Sequence, residues 1–362
     1  MWKAVITTAV VLYAAVMGCV LMPGGTNRPA PTADPVDAAP PLRAKLTGLP
    51  LRGIATSMVH PENLPAYFKV VDEVVATGAD TIEIVVAGRQ ENGSSTQIFV
   101  DQRYTASKEQ LLELFAYAKK KNLRVMLMPI VLLTNPRGNE WRGTIKPDLW
   151  ADWFDNYRAF IGHYADVAAA GKVDVLVVGS ELVSTEVHAA EWKKTISMVR
   201  EKFPAGMLTY SSNWDHYANI PFWEQLDFIA MNSYWALGKD NQVTVPEIMV
   251  KWKEIQKELI NFSNKKGKPI VFSEVGWCSI SNAADEPWDY TKTSLQPDWE
   301  LQRKLYEAFF RSWYGNPNLG GFMIWEWHPY PVTEVDKTYI PKGKPAYNIL
   351  KEWMSKGPWD VK

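Results

Sequence analysis

The chain has 362 residues, of which 47% are hydrophobic and 22% are charged, so it can fold around one large core or two modest ones. Its 39 basic and 40 acidic residues leave a formal charge of −1. No long-range field therefore draws the chain to nucleic acid or to another polyanion, and we expect no nucleic-acid partner.

Residues 1–19 predict an export signal. A positive start, Met1-Trp2-Lys3, precedes an apolar stretch that is too short to span a bilayer comfortably. The stretch ends in Val16-Met17-Gly18-Cys19, which resembles the lipobox of bacterial lipoproteins, where cleavage precedes a cysteine that becomes lipidated. If Cys19 carries acyl chains, Cys278 has no partner for a disulfide bond within the chain.

We therefore expect a bacterial cell-envelope lipoprotein, periplasmic or at the cell surface, whose only membrane contact is an N-terminal lipid anchor on Cys19. The alternatives are an ordinary cleaved signal, which would make the protein secreted, and an uncleaved anchor.

Residues 20–44 predict a flexible tether, because they are rich in Pro, Ala and Gly and contain no aromatic residue. Residues 45–362 show no second break in composition. We interpret them as a single domain of the size that is usual for an α/β barrel, and we expect a monomer.

Eight apolar runs recur along this domain, and each predicts a buried parallel strand because it is continuous rather than alternating. Eight strands separated by helices or long loops predict a (β/α)8 TIM barrel. The runs are Leu51–Met58, Thr81–Ala87, Arg124–Leu132, Val173–Glu181, Leu208–Trp214, Asp227–Trp235, Pro269–Trp277 and Gly320–Trp327.

Helix signals lie between the runs. Ser107 and Gln110 resemble a capping box ahead of an apolar stripe, and a second stripe of aromatic residues lies within residues 150–170. Glu186 and Glu191 lie in a helical stretch with neighbouring lysines, and we interpret them as part of a solvated face.

Two glutamates, Glu181 and Glu274, end the fourth and the seventh apolar run. If the strands close in order, both lie on the face where the active sites of such barrels are built. A carboxylate has no reason to end a buried run unless it faces a site. Two carboxylates at a barrel mouth are what hydrolysis of a glycosidic bond needs, one to protonate the leaving oxygen and one to attack the sugar or to activate water. The 17 Trp and 15 Tyr residues fit this chemistry, since flat rings stack on sugar faces, although any single ring is better explained by packing.

Five motifs, two of which contain Glu181 and Glu274, lie along the predicted barrel. They are Val178-Gly-Ser-Glu-Leu182, Phe272-Ser-Glu-Val-Gly-Trp277, Leu127-Met-Pro followed by Trp141-Arg-Gly-Thr-Ile145, Thr209-Tyr-Ser-Ser-Asn-Trp214, and Ile324-Trp-Glu-Trp327. Each is weak alone, but their order is specific. Over residues 51–353 the chain resembles glycoside hydrolase family 113, which lies within the large clan of retaining glycosidases. The known members of family 113 act on β-1,4-mannan.

The resemblance implies a retaining hydrolase that cleaves β-1,4-linked polysaccharide or oligosaccharide, with β-mannan as the first substrate to try. It implies that Glu181 is the acid/base, which carries a proton near neutral pH, and that Glu274 is the nucleophile, which must be ionised. Tyr234 matches the clan tyrosine that donates to the nucleophile. Asn232 points the same way along the strand, so that we expect one of the two to reach it.

Substrate contacts are expected at the other strand ends. Trp325 would form the floor under the sugar, with Trp327 as the alternative, and Glu326 between them would point away. Most of the clan has an asparagine before the acid/base, whereas family 113 resembles this chain in having a small hydroxyl residue. The remaining predicted substrate-binding residues are Trp141, Arg142, Ser180, Asn213, Trp214 and Trp277.

Other chemistries have little support. The five histidines include no pair at a metal-ligand spacing, and phosphate-binding glycine loops and the Gly-x-Ser-x-Gly elbow are absent, so we predict no catalytic metal and no cofactor. Two alternatives to a mannan hydrolase stay open. One is a glycosidase or transglycosylase of the same clan that acts on another β-glycan, and the other is a non-catalytic carbohydrate-binding lipoprotein.

Overall fold

The computed structural model describes residues 48–292 and 294–362. The predicted signal, the predicted lipidation site Cys19 and the predicted tether lie outside the described residues. Within them, eight parallel strands pair in chain order, and the last pairs with the first to close the barrel. The predicted (β/α)8 barrel is thus confirmed.

The strands are β1 Leu51–Ser57, β2 Thr81–Gln90, β3 Arg124–Leu133, β4 Val175–Ser180, β5 Met207–Ser212, β6 Ile229–Asn232, β7 Ile270–Val275 and β8 Leu319–Ile324. The α-helices of the described chain are α1 Leu64–Thr77, α2 Lys108–Lys120, α3 Trp150–Gly171, α4 Ala189–Lys202, α5 Val245–Lys266, α6 Trp299–Trp313 and α7 Pro345–Met354. Two short 3-10 turns replace a helix between β5 and β6.

Local sequence signals explain where the helices begin and end. The Ser107 side chain accepts from the backbone amide of Gln110, and the Gln110 side chain accepts from the backbone amide of Ser107. The predicted capping box therefore begins α2. Thr244 and Glu247 form the same motif at the start of α5, and Gly267 ends that helix in a left-handed conformation with φ of 63°.

The barrel interior is an apolar plug. Alternate residues of the strands point inward, and those of the lower layers are aliphatic, aromatic or sulfur-containing. This interior cluster consists of Leu51, Val85, Met126, Met128, Val175, Val177, Phe228, Ala230, Val271 and Met323. The opposite faces of the strands pack on the helices, and burial on both faces explains why the strands read as continuous apolar runs.

Charged groups lie at the amino-terminal end of the barrel. Asp80 is 3% exposed and contacts the guanidinium groups of Arg52 and Arg124. Arg124 also donates to the carbonyl of Pro50 at 2.7 Å. This buried cluster ties the start of β1 to β2 and β3, far from the end where active sites are built, so its role is structural.

Candidate active site

The structure brings Glu181 and Glu274 together at the carboxyl end of the barrel. Glu181 directly follows β4, Glu274 is the penultimate residue of β7, and the two are 4% and 5% exposed. Each carboxylate lies within reach of the other's charge, which contributes to the pKa of Glu274. Two buried carboxylates at the mouth of a parallel barrel match the expected placement.

A bulge in β7 turns Glu274 inward. Val271 belongs to the interior cluster, and the hydroxyl of Ser273 meets that of Ser211 across the barrel at 2.7 Å. Strict alternation from Val271 through Ser273 would point Glu274 toward the helices. The pairing between β7 and β8 shifts register between Phe272 and Val275, so that two successive residues face the interior.

Glu181 adopts a left-handed backbone conformation, with φ of 53°. Its amide donates to the carbonyl of Ser211 on β5 at 2.9 Å, and the pairing of β4 with β5 shifts register just before it. A side chain with a Cβ atom occupies this region at a cost of roughly 1–2 kcal/mol. The surrounding structure therefore imposes the conformation.

Separate donors hold the two carboxylates. The Tyr234 hydroxyl donates to Oε2 of Glu274 at 2.7 Å, as the sequence predicts. The amide of Asn232 donates to Oε1 of Glu181, so Asn232 and Tyr234 both reach a carboxylate, but not the same one. Arg142, a predicted substrate-binding residue, forms an ion pair with Oε2 of Glu181 and so lies beside the two carboxylates.

The pKa of Glu274 is shifted by its surroundings. Burial, followed by the charge of Glu181, raises this pKa to about 8, and Arg142 and Tyr234 oppose the shift only in part. Burial thus opposes the ionised form that the predicted nucleophile requires, whereas Arg142 and Tyr234 favour it.

Trp325, the predicted floor, directly follows β8 at the carboxyl end of the barrel. Its amide donates to the carbonyl of Val275 at 2.8 Å, and its partly exposed ring packs on the interior cluster. The loop after β7 passes so close that a Cβ atom on Gly276 would lie 2.0 Å from the Trp325 carbonyl oxygen. Glycine is required at that position, because it lets the loop that follows β7 rest on Trp325.

The β5 and β6 ends supply further polar and aromatic groups. The side-chain amide of Asn232 donates to the side-chain oxygen of Asn213 at 3.1 Å. The side-chain oxygen of Asn232 accepts from the backbone amide of Trp214 at 2.8 Å. The Trp214 ring packs against Trp235 and Trp288, and all three rings are partly exposed. Asn213 and Trp214 therefore lie next to Asn232, which donates to Glu181.

Comparisons with known proteins agree with this geometry. A family model for Glycoside Hydrolase Family 113 matches residues 65–344. The chain belongs to glycoside hydrolase family 113. It is therefore a glycoside hydrolase, an enzyme that acts on O-glycosyl bonds.

Solved structures of this family share the fold of the whole barrel. The GH113 β-mannanase AaManA from Alicyclobacillus acidocaldarius, solved in complex with ManMIm, superposes with a TM-score of 0.76 at 26% identity, over 86% of this chain and 98% of that one. A GH113 β-1,4-mannanase gives 0.75 at 24% identity, over 86% and 100%. An endo-β-1,4-mannanase from Thermotoga petrophila gives 0.55 at 11% identity, over 85% and 77%, which shows the fold alone. A search of curated proteins found no match to the sequence.

Two of the predicted substrate-binding tryptophans of this GH113 barrel lie elsewhere. Trp277 is fully buried, with its ring edge-on to Tyr306 of α6. Trp327 is 1% exposed and donates through its indole to Glu73 of α1 at 2.8 Å. Neither ring has a face to offer to a sugar, because both are packed between the barrel and its helices.

Trp141 and Ser180 stay near the site. Trp141 is 7% exposed on the loop after β3, and its ring folds over Gly143, next to Arg142. Ser180 is 1% exposed, and its hydroxyl has no hydrogen-bond partner among residues 48–292 and 294–362.

Two further acidic residues lie near Glu274: Glu83, which the sequence does not single out, and Glu326, which the sequence predicts to point away. Glu83 on β2 is fully buried, neither of its oxygens has a hydrogen-bond partner within the described chain, and burial and the charge of Glu274 raise its pKa well above the usual range. Burial raises the pKa of Glu326 to about 7, while the Ser57 hydroxyl, which donates at 3.0 Å, opposes this. A charged residue within an otherwise apolar strand, as in Thr81-Ile-Glu-Ile84, is the signal that could have found Glu83.

The interpretation of Glu186 as a solvated residue is wrong. It is 4% exposed and accepts from the Tyr210 hydroxyl at 2.8 Å. Among the described residues, no group of three or more His, Cys, Asp or Glu side chains is placed to hold a metal ion. No helix within the two described stretches combines the length and the apolar character needed to cross a membrane.

Proposed function

We propose that this enzyme is a β-mannanase that hydrolyses β-1,4-linked mannan or manno-oligosaccharides by double displacement, with retention of anomeric configuration. The observation that carries the proposal is the buried pair at the ends of β4 and β7, with Tyr234 donating to Glu274 and Asn232 donating to Glu181. The substrate class is supported by the structural similarity to GH113 β-mannanases along nearly their whole length.

In the first step, Glu274 attacks the anomeric carbon while Glu181 gives its proton to the glycosidic oxygen that leaves. In the second step, Glu181 takes a proton from water, which attacks the same carbon and releases Glu274. In both steps, the hydrogen bond from the Tyr234 hydroxyl holds the carboxylate of Glu274 in position. The partly exposed ring of Trp325 supports the sugar from below.

The reaction requires Glu274 to be ionised when it attacks, whereas burial and the charge of Glu181 raise its pKa. Arg142 contacts Glu181, and its charge lowers the pKa of Glu274. We infer that Arg142 supports the ionised form of the nucleophile.

The test is product release from mannan, glucan and xylan by the purified chain and by Glu274→Ala and Glu181→Ala. We expect mannan hydrolysis with the β-anomer formed first, seen by proton NMR. Glu274→Ala should lose at least about 10³-fold in rate, and Glu181→Ala about 10²–10⁴-fold on mannan but far less in kcat/KM on activated aryl glycosides. Glu113→Ala, on the exposed side of α2, is the matched control.

Each contrary result has a definite meaning. Substantial activity in Glu274→Ala removes the nucleophile assignment. Hydrolysis or transglycosylation of another β-glycan alone keeps the mechanism and discards mannan. Binding without turnover on any glycan supports a non-catalytic carbohydrate-binding protein.

We also propose export and a lipid anchor on Cys19, supported by the sequence of residues 1–19. Metabolic labelling with a fatty acid should mark the wild-type chain and not Cys19→Ala. Equal labelling of both chains, or of neither, would contradict lipidation at this residue.

A further inference from the structure

A buried hydrogen-bond chain lies behind the acid/base. The hydroxyl of Tyr210, on β5, accepts from the amide of Leu182 at 2.9 Å and donates to Oε1 of Glu186 at 2.8 Å. Tyr210 is fully buried, and Glu186 is 4% exposed. The ring nitrogen Nδ1 of His216 lies 3.8 Å from the other oxygen of Glu186.

The hydrogen-bond chain fixes the backbone beside Glu181, the residue in the strained left-handed conformation. The amide of Glu181 is bonded to the Ser211 carbonyl at 2.9 Å, and the amide of Leu182 is bonded to Tyr210. The two peptide groups on either side of the Glu181 Cα atom are therefore both fixed by β5. One bond uses a carbonyl that no substitution removes, and the other uses a side chain that can be changed.

The position of the Tyr210 hydroxyl is itself fixed. Its ring meets Trp192 and Phe222 edge-on, each with a centroid separation of 5.3 Å. Burial and the charge of Glu186 raise the pKa of Tyr210 well above its usual range, so that the hydroxyl keeps its proton and continues to donate. Glu186 thus orients the hydroxyl, and the oxygen lone pair is left for the Leu182 amide.

We propose that Tyr210 and Glu186 are positioning residues that hold Glu181 in its left-handed conformation and so aim its carboxyl group at the glycosidic oxygen. The proposal rests on the acid/base role given to Glu181 under the proposed function. Both residues are buried, and they act through the backbone of Glu181 and Leu182. Without the bond to Leu182, the peptide group after Glu181 can rotate toward ordinary backbone angles and carry the carboxyl group with it.

The experiment compares Tyr210→Phe with Tyr157→Phe. Tyr157 is an equally buried tyrosine, whose hydroxyl donates to the Val178 carbonyl of β4 at 2.7 Å, so that Tyr157→Phe also loses a buried hydrogen bond to this strand region, although it loses one where Tyr210→Phe loses two. Only Tyr210 bonds to the peptide group beside Glu181.

We expect kcat/KM on manno-oligosaccharides to fall about 10–100-fold in Tyr210→Phe, because a displacement of about 1 Å at a catalytic group costs on that order. The value on aryl β-mannosides with good leaving groups should stay within about threefold of wild type, since these need little protonation. Tyr157→Phe should change both substrates equally or neither. Crystal structures should show the Leu182 amide reoriented in Tyr210→Phe and unmoved in Tyr157→Phe.

Glu186→Ala is the second variant, which serves if Tyr210→Phe does not fold. It should produce the same selective loss, whereas Glu186→Gln, which keeps an oxygen that can accept from Tyr210, should restore most of the activity. The proposal is overturned if Tyr210→Phe and Glu186→Ala keep the wild-type ratio of the two substrates and an unmoved Leu182 amide. If the wild-type chain hydrolyses no glycan, the proposed function fails, and the crystal structures alone decide whether Tyr210 holds the backbone.

Discussion

Replacing Glu274 by glutamine should stabilise the folded protein while removing its activity. Burial and the charge of Glu181 raise the pKa of Glu274 from 4.5 to about 8 in the ligand-free site. A raised pKa means that the folded state holds this proton more tightly than the unfolded state does. Wild-type stability is therefore lost as the pH rises above 4.5, and the loss is complete once the pH exceeds about 8.

The size of the effect follows from the shift. A pH of 7 lies about 2.5 units above the pKa of Glu274 in the unfolded state and below its pKa in the folded state. At about 1.36 kcal/mol per unit, the wild-type protein has lost about 3 kcal/mol of its free energy of unfolding at this pH. Glutamine has nearly the same shape, keeps an oxygen that can accept from Tyr234, and never ionises. Glu274→Gln should therefore be more stable than wild type by about 3 kcal/mol at pH 7, or roughly 6 °C in melting temperature.

The assay is differential scanning calorimetry of both proteins at half-unit steps from pH 4 to pH 9. The difference should be near zero at pH 4, should grow through neutrality and should level off above pH 8. Glu113→Gln, an exposed change of the same chemistry, should follow the wild-type curve throughout. A Glu274→Gln protein that melts at or below the wild-type temperature at pH 7, or one whose advantage does not vary with pH, would refute the reasoning.

Three further outcomes are expected. Asp80→Ala should lower the free energy of unfolding, measured in urea, by about 3–5 kcal/mol, because it leaves two buried arginines without their carboxylate. The value of kcat/KM should not change, and a stability loss under about 1 kcal/mol would contradict the structural role of Asp80. Glu83→Gln should gain melting temperature over wild type as the pH rises from 4 to 8, because burial raises the pKa of Glu83; equal melting curves would show that the carboxyl group is solvated. Arg142→Gln should move the acid limb of the kcat/KM profile to higher pH, since the Arg142 charge lowers the pKa of Glu274; an effect on KM alone would indicate a sugar contact instead.

The barrel and its reactive end were predictable because the relevant signals are local. Continuous apolar runs indicate strands that are buried on both faces, and eight such runs indicate closure. Glu181 and Glu274 stood out because each ends such a run, and the Ser107 capping box is contained within four residues. None of these inferences depends on knowing which strand pairs with which.

What escaped prediction depends on register and on packing between distant segments. Strict alternation from Val271 would place Glu274 outside the barrel, and only the shifted pairing of β7 with β8 turns it inward. Glu186 has charged neighbours, as on a solvated helix, yet it is buried by Tyr210 from the next strand. Trp327 resembles Trp325 in sequence, but the indole of Trp327 bonds to Glu73 on a helix that lies more than two hundred residues earlier in the chain.

The left-handed backbone at Glu181 has a consequence for how this protein can be improved or can decay. Glycine occupies this region without strain, and asparagine enters it more readily than glutamate, so either residue would remove a backbone cost of roughly 1–2 kcal/mol. Either residue would also leave the largely buried guanidinium group of Arg142 without its carboxylate, at a cost of roughly 3–5 kcal/mol. Substitution of Glu181 alone should therefore destabilise the barrel, and a library selected for heat resistance has to vary positions 142 and 181 together or hold both constant.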